Sequence, residues 1–452
     1  MRNVMKFTIS TLLLILPSIA EGQAVPTAVA PISSVGGSPI IPDLDGVLHY
    51  AVSGSEIIQV GYNGPSQVTA STALSGDIAY TAKSTTRPFS LLFAGGVFFP
   101  NQGGQGTSSF VNVAASQGFI ARHWIFNVSD SFSFLPQSPT TGLSGIPGVG
   151  DLGAIPVQGP VDGPAGGILT VGGNRYQNTL NGSVERQISH ATSISGSGSW
   201  SVLNFLDSNL SFQNSTQVSG TVALNQRLDA RSSASIDAVY SIFTYNGKVV
   251  INGFVQPDIE TRALNASYQR LLTKSLSVSA SAGPLWINSS NDLVIPPSVN
   301  VGLSGSLGYS RGFTNASVSY TRGVNAGSGV LTGALSDTVY ASVGHTYGRK
   351  YVASLTLGYS HSSGLGQLVS GANSFIPVHQ TYDTFFGGVQ VRRGFGPHLS
   401  GYASYTVQNQ SNNYPAGAPN LPVGAANALS GTNHTVGIGI TFTPRSTRLG
   451  QF

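Results

Sequence analysis

The chain has 452 residues, of which only 8% are charged, with 57 Gly, 24 Pro, no Cys and a formal net charge of +4. Soluble globular domains average about 25% charged residues, so an ordinary soluble core and a nucleic-acid partner are both disfavoured, and disulfide or thiol chemistry is excluded. Beyond the N-terminus no apolar run reaches the roughly 18 residues of a transmembrane helix, so a membrane-spanning reading needs strands.

The first element reads as a secretory signal over residues 1–20. Arg2 and Lys6 supply a basic start, Phe7 to Ile19 is mostly apolar, and Ser18-Ile19-Ala20 offers small residues for cleavage, with Gly22-Gln23-Ala24 as a second site. Residues 21–45 are rich in Pro, Gly and Ser and read as a periplasmic leader without a core.

From residue 46 to 443 short and long connections alternate, and nearly every short one carries Arg or Lys. Several segments between them alternate at period 2, the mark of a strand with two different environments. In 299–309, Val299, Val301, Leu303, Leu307 and Tyr309 occupy one phase, and Asn300, Ser304 and Ser306 the other. In 232–242, Ile236, Ala238, Tyr240 and Ile242 alternate with Ser233, Ser235, Asp237 and Ser241. The polar phase is small, mostly uncharged and hydroxylated.

The strands are expected at 47–61, 71–83, 88–99, 108–117, 121–134, 176–187, 190–203, 215–228, 231–244, 259–271, 274–287, 299–310, 313–323, 337–347, 350–360, 379–392, 397–409 and 433–443. This predicts an all-β, up-and-down antiparallel transmembrane barrel of about 18 strands, with 16 as the alternative count. Its apolar phase should face lipid and its hydroxylated phase the lumen. An even count puts both termini on the short-turn, periplasmic side. Strand 47–61 carries Glu56 in its apolar phase, which predicts a bulge.

Aromatic residues fall near strand ends and predict two interfacial girdles. Phe89, Trp124, Tyr309, Phe313, Tyr347 and Tyr351 lie on the short-turn side, and Phe98, Phe99, Phe132, Phe134, Trp200, Phe205, Phe243 and Trp286 on the long-loop side. The basic residues at the short turns include Arg87, Arg122, Arg186, Arg231, Arg270, Lys274, Arg311, Arg349, Lys350, Arg392 and Arg393. Such a rim could gather anions at the periplasmic mouth. Snorkelling to lipid phosphates is the reading favoured here. The lumen phase is nearly neutral, with Asp77, Glu185 and Asp237 as its acids.

The longest connection, 135–175, is stiffened by prolines and carries apolar anchors. Pro139, Leu143, Ile146, Pro147, Asp151 and Asp162 mark it as a candidate pore-constriction loop, with a surface loop as the alternative. Its Gly148-Val149-Gly150-Asp151-Leu152-Gly153 matches a dinucleotide fingerprint, but the prolines at 156 and 160 forbid the helix that such a site needs. The eight His are scattered, without metal-ligand spacing. No catalytic group, cofactor or metal is expected, and the chain is not read as an enzyme.

Near the C-terminus, Thr435, Gly437, Ile440 and Phe442 follow the order of the signal that closes outer-membrane proteins. The segment resembles the motif that the barrel-assembly machinery recognises, although ten residues follow it, and 444–452 read as a periplasmic tail. The chain thereby resembles Gram-negative outer-membrane β-barrels of porin-like size, with no subfamily assigned. That resemblance implies an outer-membrane location, contact with its lipids and with the assembly machinery, and passive diffusion of small polar solutes. A structural, adhesin-type or assembly barrel displaying its loops, and the outer-membrane pore of a polysaccharide-export system, remain the alternatives. The oligomeric state is left open.

Overall fold

The computed structural model describes residues 47–448, apart from 62–67, 83–85, 102–106, 136–174, 207–213, 247–249, 252–253, 326–330, 332, 349, 367, 370–374, 377–379, 414–430 and 445–446. Eighteen long strands form one closed antiparallel sheet: β1 (Val47–Val60), β2 (Val68–Ala82), β3 (Phe89–Pro100), β4 (Ser108–Ala121), β5 (Trp124–Leu135), β6 (Arg175–Gln187), β7 (Thr192–Phe205), β8 (Ser215–Arg227), β9 (Ser232–Tyr245), β10 (Ile259–Leu271), β11 (Leu276–Ser289), β12 (Ser298–Arg311), β13 (Thr314–Asn325), β14 (Ala334–Tyr347), β15 (Tyr351–Gly364), β16 (Thr381–Gly394), β17 (Leu399–Asn412) and β18 (Gly431–Phe442). Each strand pairs with its sequence neighbours, and β1 closes on β18 from Val52↔Phe442 to Val60↔His434. Past Phe442 the chain rejoins β1 with Leu48↔Thr447 and Val47↔Arg448, one residue out of the preceding register.

Following the pairings once around the sheet returns to β1 displaced by about 22 residues, which for eighteen strands gives a tilt of about 40°. That is the tilt of lipid-spanning barrels, about 35–45°.

The two phases of each strand meet two environments. On β12, Val299, Val301, Leu303 and Leu307 face outward and are exposed, while Ser298, Asn300, Ser304 and Ser306 face the lumen. On β9, Ile236 and Tyr240 are exposed on the outside, and Asp237 and Ser241 are fully buried inside.

Three of the short turns repeat one device. An apolar residue is followed by Ser, Asp or Thr, whose side-chain oxygen accepts from backbone amides two or three residues on. Ser189 accepts from Ala191 and Thr192, Asp229 from Arg231 and Ser232, and Thr273 from Ser275. Short oxygen-bearing side chains close turns in this way because they replace a backbone acceptor. The Ser232 hydroxyl, followed by the Arg231 amide, holds the Asp229 carboxyl below the usual 3.8. The recurrence is visible in the sequence at Ile188-Ser189, Leu228-Asp229 and Leu272-Thr273.

Two expectations need correction. Glu56 causes no bulge: β1 pairs in unbroken register with β2 from Val47↔Thr81 to Val60↔Val68. The carboxylate stays on the outer face and accepts from the Thr72 hydroxyl at 2.8 Å and from the Asn101 amide. Polar neighbours on β2 and just past β3 satisfy it, so the strand has no need to deform. The long-loop girdle is also thinner than expected. Phe99, Trp200 and Trp286 are exposed on the outside, whereas Phe205 and Phe243 are buried on the inner face and Phe98 packs at a tilt against the buried Phe110, with ring centroids 5.1 Å apart. Proximity to a strand end was the wrong criterion, because strand parity decides which side a ring takes.

Candidate functional site

The site is the inner wall. Its Ser and Thr residues stand opposite one another in register, and many bond across the strands. Ser199 meets Ser219 at 2.6 Å, Ser279 meets Ser306 at 2.7 Å, Ser317 meets Ser342 at 2.7 Å and Ser336 meets Ser362 at 2.7 Å. Each is a direct register pair. Such pairs stabilise a sheet by roughly 0.2–1 kcal/mol each and leave a smooth, uncharged hydroxyl surface.

Inward aromatic rings are accommodated by glycine on the adjoining strand. Phe386 stands opposite Gly358, Tyr402 opposite Gly439 and Phe110 opposite Gly96. A Cβ at Gly96 would lie 2.7 Å from Phe110 Cε1, and one at Gly358 would run into the Phe386 ring. The rings therefore lie against the wall where a side chain would otherwise stand.

Two apolar clusters face each other across the barrel near the long-loop end. One joins Ile57, Ala73, Ala94 and Phe110 of β1–β4. The other joins Val239, Phe243, Tyr245, Ile259, Ala263, Leu285, Ile287 and Val324 of β9–β13 with Ile295 from the β11–β12 loop. Ile295 is turned inward by the backbone of Asn291, whose carbonyl accepts from Ile295 N at 3.1 Å, and by Ser289, whose hydroxyl donates to Ile295 O at 2.9 Å. The β13–β14 loop joins this plate. Gly333 N donates to the Tyr245 hydroxyl at 3.1 Å, and Leu365 N donates to Gly333 O at 3.0 Å. Gly333 has φ +72° and touches Ile259, so two constraints require glycine there. The plate packs on the inner face of the wall between β9 and β15.

The acids Asp77 and Asp237 lie in the lumen phase and are buried; Asp237 accepts from Asn265 at 2.9 Å and from Ser267 at 3.5 Å. Arg392 also belongs to the inner phase, where its Nε donates to the Ser400 hydroxyl at 3.2 Å.

The rest of the basic rim lies at the short-turn end. Arg87, Arg122, Arg231, Arg270, Lys274, Arg311, Lys350 and Arg393 are exposed, and Arg186 sits over the Trp124 ring at 5.2 Å. Arg393 stands 5.3 Å from Tyr351 and 5.5 Å from Phe395. These guanidinium groups lie over outward aromatic rings at the short-turn end. Arg349 lies outside the described residues, as do Pro139, Leu143, Ile146, Pro147, Asp151 and Asp162 of the expected constriction loop. On β18, Thr435 and Gly437 face inward and Ile440 and Phe442 outward, at the seam with β1.

A polar row on the outer surface had no clear signal in the sequence. Arg322, Asp337, His361 and Asp383 are register neighbours on β13–β16, two or three residues from the long-loop strand ends. Arg322 pairs with Asp337 at 3.0 Å and His361 with Asp383 at 2.8 Å, while the Tyr320 and Tyr359 hydroxyls donate to the same carboxylates at 2.6 Å. Partner identity depends on register between strands, which no single strand reveals. Among the described residues no group of His, Asp and Glu could hold a metal ion.

A closed, tilted barrel with an apolar exterior, a hydroxylated interior and unequal ends defines a membrane-spanning β-barrel of porin-like architecture. No model of a known protein family matches the sequence, and no curated protein matches it. Among solved structures the chain is similar to OccK2 (OpdF) of Pseudomonas aeruginosa, at 8% identity and TM-score 0.40, covering 88% of this chain and 97% of that one. It is similar to OccAB3 of Acinetobacter baumannii, at 10% identity and TM-score 0.40, covering 88% and 99%. It is also similar to the siderophore receptor PirA of Pseudomonas aeruginosa, at 10% identity and TM-score 0.36, covering 87% and 80%. At these values the fold rests on the chain's own register and closure.

Proposed function

We propose that this chain is an outer-membrane channel for the passive diffusion of small polar solutes. The observation that carries the reading is the contrast between the two faces of one closed sheet: apolar side chains outside, and small, laterally bonded hydroxyls inside. Few charges line the wall, so solute passage depends on size and hydrogen bonding more than on sign. The plate of Ile295, Tyr245 and Gly333 supports a size limit near the long-loop mouth. In the same reading, the basic rim anchors the short-turn end to lipid phosphates, and Thr435, Gly437, Ile440 and Phe442 serve the assembly machinery.

Liposome swelling tests the proposal. Vesicles carrying the refolded protein should swell in isotonic solutions of small neutral sugars, at rates that fall as the sugar grows. Swelling no faster than in protein-free vesicles would refute it.

A further inference from the structure

The inner wall satisfies its polar groups laterally at many register pairs, but not at two successive pairs of β17 and β18. Thr406 stands opposite Thr435 and Gln408 opposite Asn433. All four are buried to within 2% of full burial. The two threonine hydroxyls and both polar ends of Gln408 and of Asn433 have no hydrogen-bond partner among the described residues. Buried polar groups are nearly always bonded, so a cluster of exceptions calls for a partner. Ser129 and Asn181 on β5 and β6 form one further register pair of this kind. Among the described residues, only β17–β18 places two such pairs in succession, beside the inward ring of Phe386. Phe386 is the register neighbour of Gln408 on β16, and Tyr402 lies lower on β17.

The chemistry of this patch is narrow. It offers two primary amides, each with a donor end and an acceptor end, and two hydroxyls that both donate and accept. None of the four side chains is charged. Beside Gln408 on the wall stands Phe386, whose ring lies over Gly358. A neutral polyhydroxylated molecule matches that set, because every hydroxyl can bond to either end of an amide and its C–H faces can lie on a ring. An anion would meet no cation among these side chains. We infer that the β17–β18 wall is a binding subsite for a neutral polyol of saccharide type, with Gln408 and Asn433 as its hydrogen-bonding residues and Thr406 and Thr435 beneath them. This rests on the channel reading and names the solute class it favours. The flexible Gln408 side chain must swing to admit the ligand, and both ends of its amide are then available to ligand hydroxyls.

The test is a titration of single channels in a planar bilayer with maltose, and with sodium gluconate as the charged comparison. Maltose should reduce the conductance saturably, and gluconate at equal concentration should not. Q408L together with N433L should weaken the maltose half-block at least about tenfold while the unblocked conductance is retained. T406V together with T435V, a smaller change of shape, should weaken it by a lesser factor and guards against misfolding of the first pair. A conducting channel that maltose never blocks saturably overturns the subsite alone and leaves the channel standing. Equal maltose block in the wild type and both variant pairs overturns it as well. A folded protein that conducts nothing removes the channel reading and this inference together.

Discussion

Asp229 has no burial to sustain it, yet its carboxyl closes the β8–β9 turn through the Ser232 hydroxyl and the amides of Arg231 and Ser232. Those bonds favour the ionised form, so the folded-state pKa lies below the usual 3.8. The sign follows: the stabilisation is present above the unfolded-state value and is lost as pH falls through the lower, folded one. D229N should therefore unfold more readily than wild type in urea at neutral pH, and the gap should close as pH falls through the folded-state pKa of Asp229, below the usual 3.8. A pH-independent gap would assign the effect to shape rather than charge. Gly358 carries a different constraint, since the Phe386 ring occupies the space of a Cβ. G358A should cost about 1–3 kcal/mol in reversible urea unfolding and turn the ring into the lumen. Unchanged stability would show that the ring has another resting place.

At the scale of the elements, the period-2 alternation and the basic short turns were legible in the sequence, and all eighteen strands lie where that pattern puts them, within a few residues. They were legible because lipid on one side and lumen on the other impose opposite chemistry at every second residue. The inward plate was not. Ile295, Tyr245 and Gly333 come from distant segments, and only the folded register brings them together. Glu56 illustrates the same limit, since its partners Thr72 and Asn101 are invisible from its own strand. The unbonded amides of β17–β18 also needed the structure, because polar pairs that bond and pairs that do not look alike in a sequence. The plate makes a specific expectation. I295S removes a fully packed side chain and should cost about 2–4 kcal/mol. It should also raise single-channel conductance as the plate loosens. A destabilised protein with unaltered conductance would show that the plate is structural and does not narrow the path.

At the scale of the whole molecule, closure of β1 on β18 leaves no sheet edge, and a stagger of about 22 residues sets the tilt that fits a bilayer. The charge distribution is uneven: cations crowd the short-turn rim, while the inner wall has few charges, chiefly Asp77, Glu185, Asp237 and Arg392. A wall so nearly neutral gives little discrimination by sign. The most direct measurement of the central claim is current through the purified, folded protein in a planar bilayer under a salt gradient. Discrete, stable conductance steps with a reversal potential close to zero are expected. Verified insertion with no conductance steps would contradict a channel, and steps with a reversal potential near the ideal cation or anion limit would contradict the neutral wall.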